Sequence, residues 1–142
     1  MVFGGARWTR YSQTKLANAA FTAALHHRLR AAGSKVKALV AHPGWANTEL
    51  QVTTHREGGM ASWTSLLALV VSQSEEDGTL GILSAAVLPD AKSGEFYGPG
   101  MGLMASKGKA RAYPLEKKYD NADVRALLWD KSCAAIGGDF EI

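Results

Sequence analysis

The chain has 142 residues, 46% hydrophobic and 20% charged, which is one domain's worth of length with a globular rather than a disordered balance. Its net charge of +3 and pI near 9.1 are too mildly basic to point to nucleic acid. A single cysteine, Cys133, excludes an internal disulfide and suits a reducing compartment. The greasiest run, Leu66 to Val71, falls far short of the roughly 20 apolar residues of a membrane span. No basic segment followed by an apolar one opens the chain, so the reading expects no signal peptide, a cytoplasmic protein and no membrane contact.

Met1 to Trp8 is short and carries Gly4 and Gly5 without strand alternation. Thr9 suits the N-cap of a helix running from about Arg10 to Ala32, a stretch without proline or glycine. Two stripes recur at helical spacing. Leu16, Ala19, Ala20 and Ala23 form one; Phe21, Leu25, Leu29 and Ala32 form the other. A helix apolar on two sides is covered on two sides, and the small-residue stripe admits a close neighbour. Gly33 is the expected stop.

Lys35 to His42 alternates and then turns apolar, as a strand entering a buried parallel sheet does. Pro43-Gly44 ends it, because proline cannot donate to a ladder and glycine permits a tight turn. The polar stretch from Trp45 to Gly59 is long enough for a lid or binding segment. Met60 to Val71 reads as a short apolar helix or buried segment. Ser74-Glu75-Glu76-Asp77-Gly78 is a helix start, with a serine cap and acids in the first turn, and that helix stops at Pro89. Gly94 to Gly98 reads as a short strand, Pro99 to Pro114 as a Gly- and Lys-rich loop, and Asn121 to Ile136 as a last helix capped by Asn121 and closed by Gly137-Gly138. The order is α/β, with a right-handed crossover between two parallel strands.

The chemistry concentrates at Tyr11-Ser12-Gln13-Thr14-Lys15. Residues four apart on a helix share a face, one turn apart. A phenol is a poor acid or base near neutrality, with a reference pKa of about 10. A nearby ammonium favours the phenolate and lowers that value, which fits a tyrosine for proton transfer at a hydroxyl or carbonyl oxygen. The same pattern also occurs as an ordinary surface pair.

With Tyr11 and Lys15 followed by Ala41-His42-Pro43-Gly44 and Thr48, the chain resembles the C-terminal half of short-chain dehydrogenase/reductases. More narrowly, Tyr11 to Asn18 and the His42-Pro43-Gly44 turn are similar to the retinol-dehydrogenase-like, WW-domain-oxidoreductase-like branch. Ser74 to Gly78, Gly94 to Pro99 and Leu127 to Asp130 agree in order. The resemblance implies a partial Rossmann-type, doubly wound α/β fold comprising the last two parallel strands with flanking helices. It implies NAD(P)-dependent hydride transfer on a small-molecule alcohol or carbonyl substrate. Tyr11 would be the general acid/base, and Lys15 would bond the nicotinamide ribose and tune Tyr11. Pro43 and Gly44 would border the nicotinamide, Thr48 would bond its carboxamide or the pyrophosphate, and Trp45 would open the substrate lid.

The family's Gly-rich turn, its selector for NAD or NADP and its catalytic serine have no counterpart in the sequence. Acting alone, the chain is therefore expected to show little or no dehydrogenase activity, as either a fragment of a longer polypeptide or a half that needs a complementing half. The expected partner is that complementing half or a homo-oligomer. The alternative is a non-catalytic interaction module that binds a partner through the Tyr-bearing helix and an open sheet edge.

Other signals are weaker. Gly100 to Ala105 fits G-x-G-x-x-A but lacks the helix that such a phosphate loop opens. His26, His27, His42 and His55 show no metal-ligand spacing. His26 and His27 suit the negative end of a helix dipole. Lys107, Lys109, Arg111, Lys117 and Lys118 read as a solvated basic surface, Trp129 as packing and Cys133 as an inert buried thiol.

Overall fold

The computed structural model of the protein describes residues 6–44, 74–101, 107–140 and 142. The described elements are α1 (Ala6–Ala31), β1 (Val40–Ala41), α2 (Glu75–Val87), β2 (Glu95–Met101), β3 (Lys107–Pro114) and α3 (Ala122–Ile136). The strands form one sheet in the order β1-β2-β3. Gly94 donates to the Ala38 carbonyl and His42 donates to that of Tyr97. Both segments thus advance together, which makes β1 and β2 parallel. The stretch of chain between β2 and β3 is too short for a parallel crossover, so these neighbouring strands run antiparallel. The fold is mixed α/β with a partly parallel sheet.

Two compact units share the chain: Met1–Gly4, Ala41–Pro89 and Tyr97–Ala112 in one, Gly5–Val40, Asp90–Phe96 and Tyr113–Ile142 in the other. In the second unit α1 packs on α3. Ala19, Ala20, Ala23 and Ala24 of α1 are buried, and the small stripe admits Tyr119, Leu115, Val124 and Leu128 directly against the helix. On its other side Phe21 stacks on Trp129, with ring centroids 5.8 Å apart and planes 7° apart. Arg28 covers the same indole at 4.1 Å, and Phe140 folds back to within 4.9 Å of it. The Trp129 indole N–H donates to Asp139 at 3.0 Å. Trp129, 2% exposed, is therefore held by stacking, a cation–π contact and a hydrogen bond together.

In the first unit α2 begins at Ser74, whose hydroxyl accepts from the Asp77 amide at 3.1 Å. Gly81 brings this helix onto the sheet. A Cβ there would lie 3.1 Å from the His42 carbonyl oxygen and 3.4 Å from that of Tyr97.

Several expectations need correction. Helix α1 begins at Ala6 rather than Arg10, because Ala6 and Arg7 are good helix formers, so Thr9 lies inside the first turn and is not the cap. Leu16 is 40% exposed and does not join the covered stripe. The strand expected over Lys35 to His42 shortens to Val40–Ala41. Val36 is 63% exposed, and the Ala38 amide donates to the Ser93 hydroxyl rather than to a strand carbonyl. The segment read as a Gly- and Lys-rich loop contains β3, whose partly covered positions Gly108 and Ala110 are too small to register as a hydrophobic alternation. The sheet accordingly has a third strand, not two. The expected stretch from Met60 to Val71 lies outside the described residues.

The α3 boundaries were legible. Asn121 accepts from Asp123 and Val124, and Gly137 ends the helix. Truncating the central aromatic should be severe. Trp129→Ala is expected to cost about 3–5 kcal/mol, measurable as a lowered midpoint in urea unfolding.

Candidate functional site

Tyr11 and Lys15 both lie on α1 and both are exposed, Tyr11 by 42%. The Lys15 ammonium sits over the tyrosine ring, 5.5 Å from its centroid, so the helical spacing brings the pair into contact as a cation–π arrangement. Thr14 turns its hydroxyl back to the Tyr11 carbonyl at 2.7 Å, which keeps that side chain on its own turn. A phenol and an ammonium on one open helix face can serve a substrate oxygen and a neighbouring polyol together.

Pro43 and Gly44 belong to the other unit, at the end of β1. Gly44 has φ 70°, a left-handed conformation that favours glycine. Its amide donates to the Nδ1 atom of His42 at 3.0 Å. The His42 imidazole is half-buried and lies on Gly98, where any Cβ would collide with the Nε2 and Cδ2 atoms. Burial pushes the His42 pKa below the ordinary 6.5. Sequence reasoning placed His42 in this turn but missed its role as the turn's hydrogen-bond acceptor. The signal available was a histidine two residues before a glycine. Trp45 and Thr48, the remaining expected site residues, lie outside the described residues.

His26 and His27 have tertiary partners, and His55 lies outside the described residues. His26 bonds the Ser93 hydroxyl through Nδ1 at 2.9 Å, and burial, then His27 and Arg30, lower its pKa. His27 meets Asp120 at 2.9 Å, and Asp120 also takes Arg125. A cavity of about 270 Å³ lined by His26, Arg30, Ser34, Val36 and Ser93 includes none of the expected site residues. Cys133 is half-buried and donates to Asp139 at 3.3 Å. Burial and that carboxylate raise its pKa, away from the reactive thiolate. Gly100 and Met101 belong to β2, and Gly102 to Ala105 lie outside the described residues. Among the described residues no helix is long and apolar enough to cross a membrane, and no group of His, Cys, Asp or Glu is placed to hold a metal ion.

Comparison with known proteins adds to this geometry. The chain is 31% identical over 139 residues to polyprenol dehydrogenase of Mus musculus, covering 94% of this chain and 38% of the mouse protein. It is 31% identical over 127 residues to polyprenol dehydrogenase of Homo sapiens, covering 89% of this chain and 36% of the human protein. A crystal structure of an uncharacterized protein from Mycobacterium paratuberculosis matches with a TM-score of 0.66 at 28% identity, over 98% of this chain and 42% of that one. No protein-family model matches. The similarities are those of a dehydrogenase-type oxidoreductase and agree with the broad short-chain dehydrogenase resemblance. They lend no support to the retinol-dehydrogenase-like branch in particular. The chain spans well under half the length of the curated relatives it matches.

Both His26 and His42 hold their pKa values below the unfolded one, so the folded state binds fewer protons than the unfolded chain. Stability is then fully present above about pH 6.5 and declines as the pH falls towards the folded values. Urea midpoints measured across that range should fall on the acid side, and His42→Asn should flatten the decline.

Proposed function

We propose that the chain carries the proton-transfer and nicotinamide-side portion of an oxidoreductase of the short-chain dehydrogenase/reductase type. The observation that carries this reading is the Tyr11–Lys15 pair on one exposed face of α1, with the ammonium 5.5 Å from the ring centroid. Similarity to polyprenol dehydrogenases over nearly the whole chain supports it, as does a partly parallel sheet suited to the end of a Rossmann-type fold.

NAD(P) suits the residues present. An ammonium offers three donors and no acceptor, which matches ribose hydroxyls, and Gly44 presents backbone without a side chain where a flat ring must approach. When bound, NAD(P) supplies the hydride chemistry. Tyr11 donates a proton to the substrate carbonyl oxygen in reduction and accepts one from the hydroxyl in oxidation. Lys15 would bond the ribose hydroxyls through its ammonium donors. By the family resemblance Pro43 and Gly44 would border the ring, Thr48 would bond its polar groups, and Trp45 would begin the segment that shapes substrate access, the last two lying outside the described residues. The substrate class is an alcohol or carbonyl on an apolar carrier, with a long isoprenoid alcohol suggested by the name of the relatives.

The matched segment of the mouse polyprenol dehydrogenase can be replaced by this chain and turnover followed by NAD(P)H absorbance. Tyr11→Phe in that chimera is expected to lower kcat by roughly 10²–10⁴-fold with little change in cofactor affinity. A folded chimera that turns over equally well with phenylalanine would refute the reading. The isolated chain should show no turnover above its own Tyr11→Phe variant.

A further inference from the structure

We propose that His42 is a positioning residue that fixes the Pro43-Gly44 turn through the lone pair of its Nδ1 atom. The proposal rests on the reading of that turn as the border of the nicotinamide site, and deepens it.

A backbone N–H can only donate, so the 3.0 Å bond from Gly44 requires Nδ1 to accept. The neutral ring therefore carries its proton on Nε2. Three further features hold the acceptor in place. The His42 amide is tied to the Tyr97 carbonyl at 2.9 Å, which anchors the residue to β2. The ring lies on Gly98, where only a hydrogen leaves room for it. Gly81 lets α2 approach within van der Waals reach of the His42 carbonyl, which closes the other side. Backbone, ring face and carbonyl are thus each fixed by a different neighbour. The Gly44 conformation, at φ 70°, is then selected by one directed bond. A left-handed glycine at the end of a strand has many alternatives open to it, and the imidazole removes them. Burial keeps the ring neutral and so keeps the acceptor available.

The test is made first on the chain without ligand. Long-range proton–nitrogen correlation spectra of the His42 ring should show Nε2 protonated and Nδ1 bare near neutral pH; a proton on Nδ1 would overturn the proposal. Gly44 amide exchange should accelerate roughly three- to tenfold in His42→Phe. His42→Asn should restore the slow rate, because the asparagine Oδ1 atom stands close to where Nδ1 stood. Gly98→Ala, which keeps the histidine but displaces its ring, should also release Gly44. Equal exchange in His42→Phe and wild type, with both folded by circular dichroism, would refute the role. None of these readouts involves nicotinamide, so their failure is distinct from failure of the functional reading. In the chimera, His42→Phe should raise KM for NAD(P)H more than it lowers kcat, and His42→Asn should recover it.

Discussion

The close approach along the alanine stripe of α1 is the constraint on which the described helical unit depends. Ala19, Ala20, Ala23 and Ala24 present almost no side chain, so Tyr119 and the inner residues of α3 lie against the helix itself. Packing at that distance leaves no freedom to rotate α1 about its axis, since interiors are close-packed and tolerate little extra volume. Trp129, clasped between Phe21, Arg28 and Phe140, fixes the same rotation from another side. With the axis set, Tyr11 and Lys15 necessarily face outward on the turns beyond the buried stripe. The helix gives the pair a rigid platform, which a proton-transfer group requires.

The end of β1 uses a different kind of restraint. There the geometry comes from hydrogen bonds and from glycines that admit close neighbours: Gly98 beneath an imidazole and Gly81 beneath a carbonyl. Such an arrangement is stiff but contains little apolar area, and the half-buried imidazole makes it sensitive to protonation. One part of the proposed site therefore rests mainly on apolar packing and the other on polar contacts.

Much of this was legible in the residues. Ser74 and Asn121 cap their helices as short polar side chains do, and Gly33 and Gly137 end theirs. The alanine stripe and the Tyr11–Lys15 spacing were visible because a helical period of 3.6 leaves an unambiguous trace. Strand β3 was not visible, because glycine, alanine and basic residues carry no apolar alternation and only the neighbouring β2 makes a strand of them. The Lys35-to-Lys37 alternation misled for the converse reason, as Val36 faces solvent. The partners of His26 and His27 lie far along the chain, at Ser93 and Asp120, and no local pattern announces such contacts. The role of His42 fell between these cases, with the residue recognisable and its bond not.

The central proposal is that this chain carries residues for the nicotinamide side of a dinucleotide, Lys15 for the ribose and Gly44 for the ring. Titration of the labelled chain with nicotinamide mononucleotide, which lacks the adenosine portion, tests it most directly. Saturable shifts are expected at Lys15 and the Gly44 amide in the wild type, and saturable shifts at the Gly44 amide should be lost in Lys15→Met. Shifts that do not saturate, or that cluster away from both residues, would contradict it.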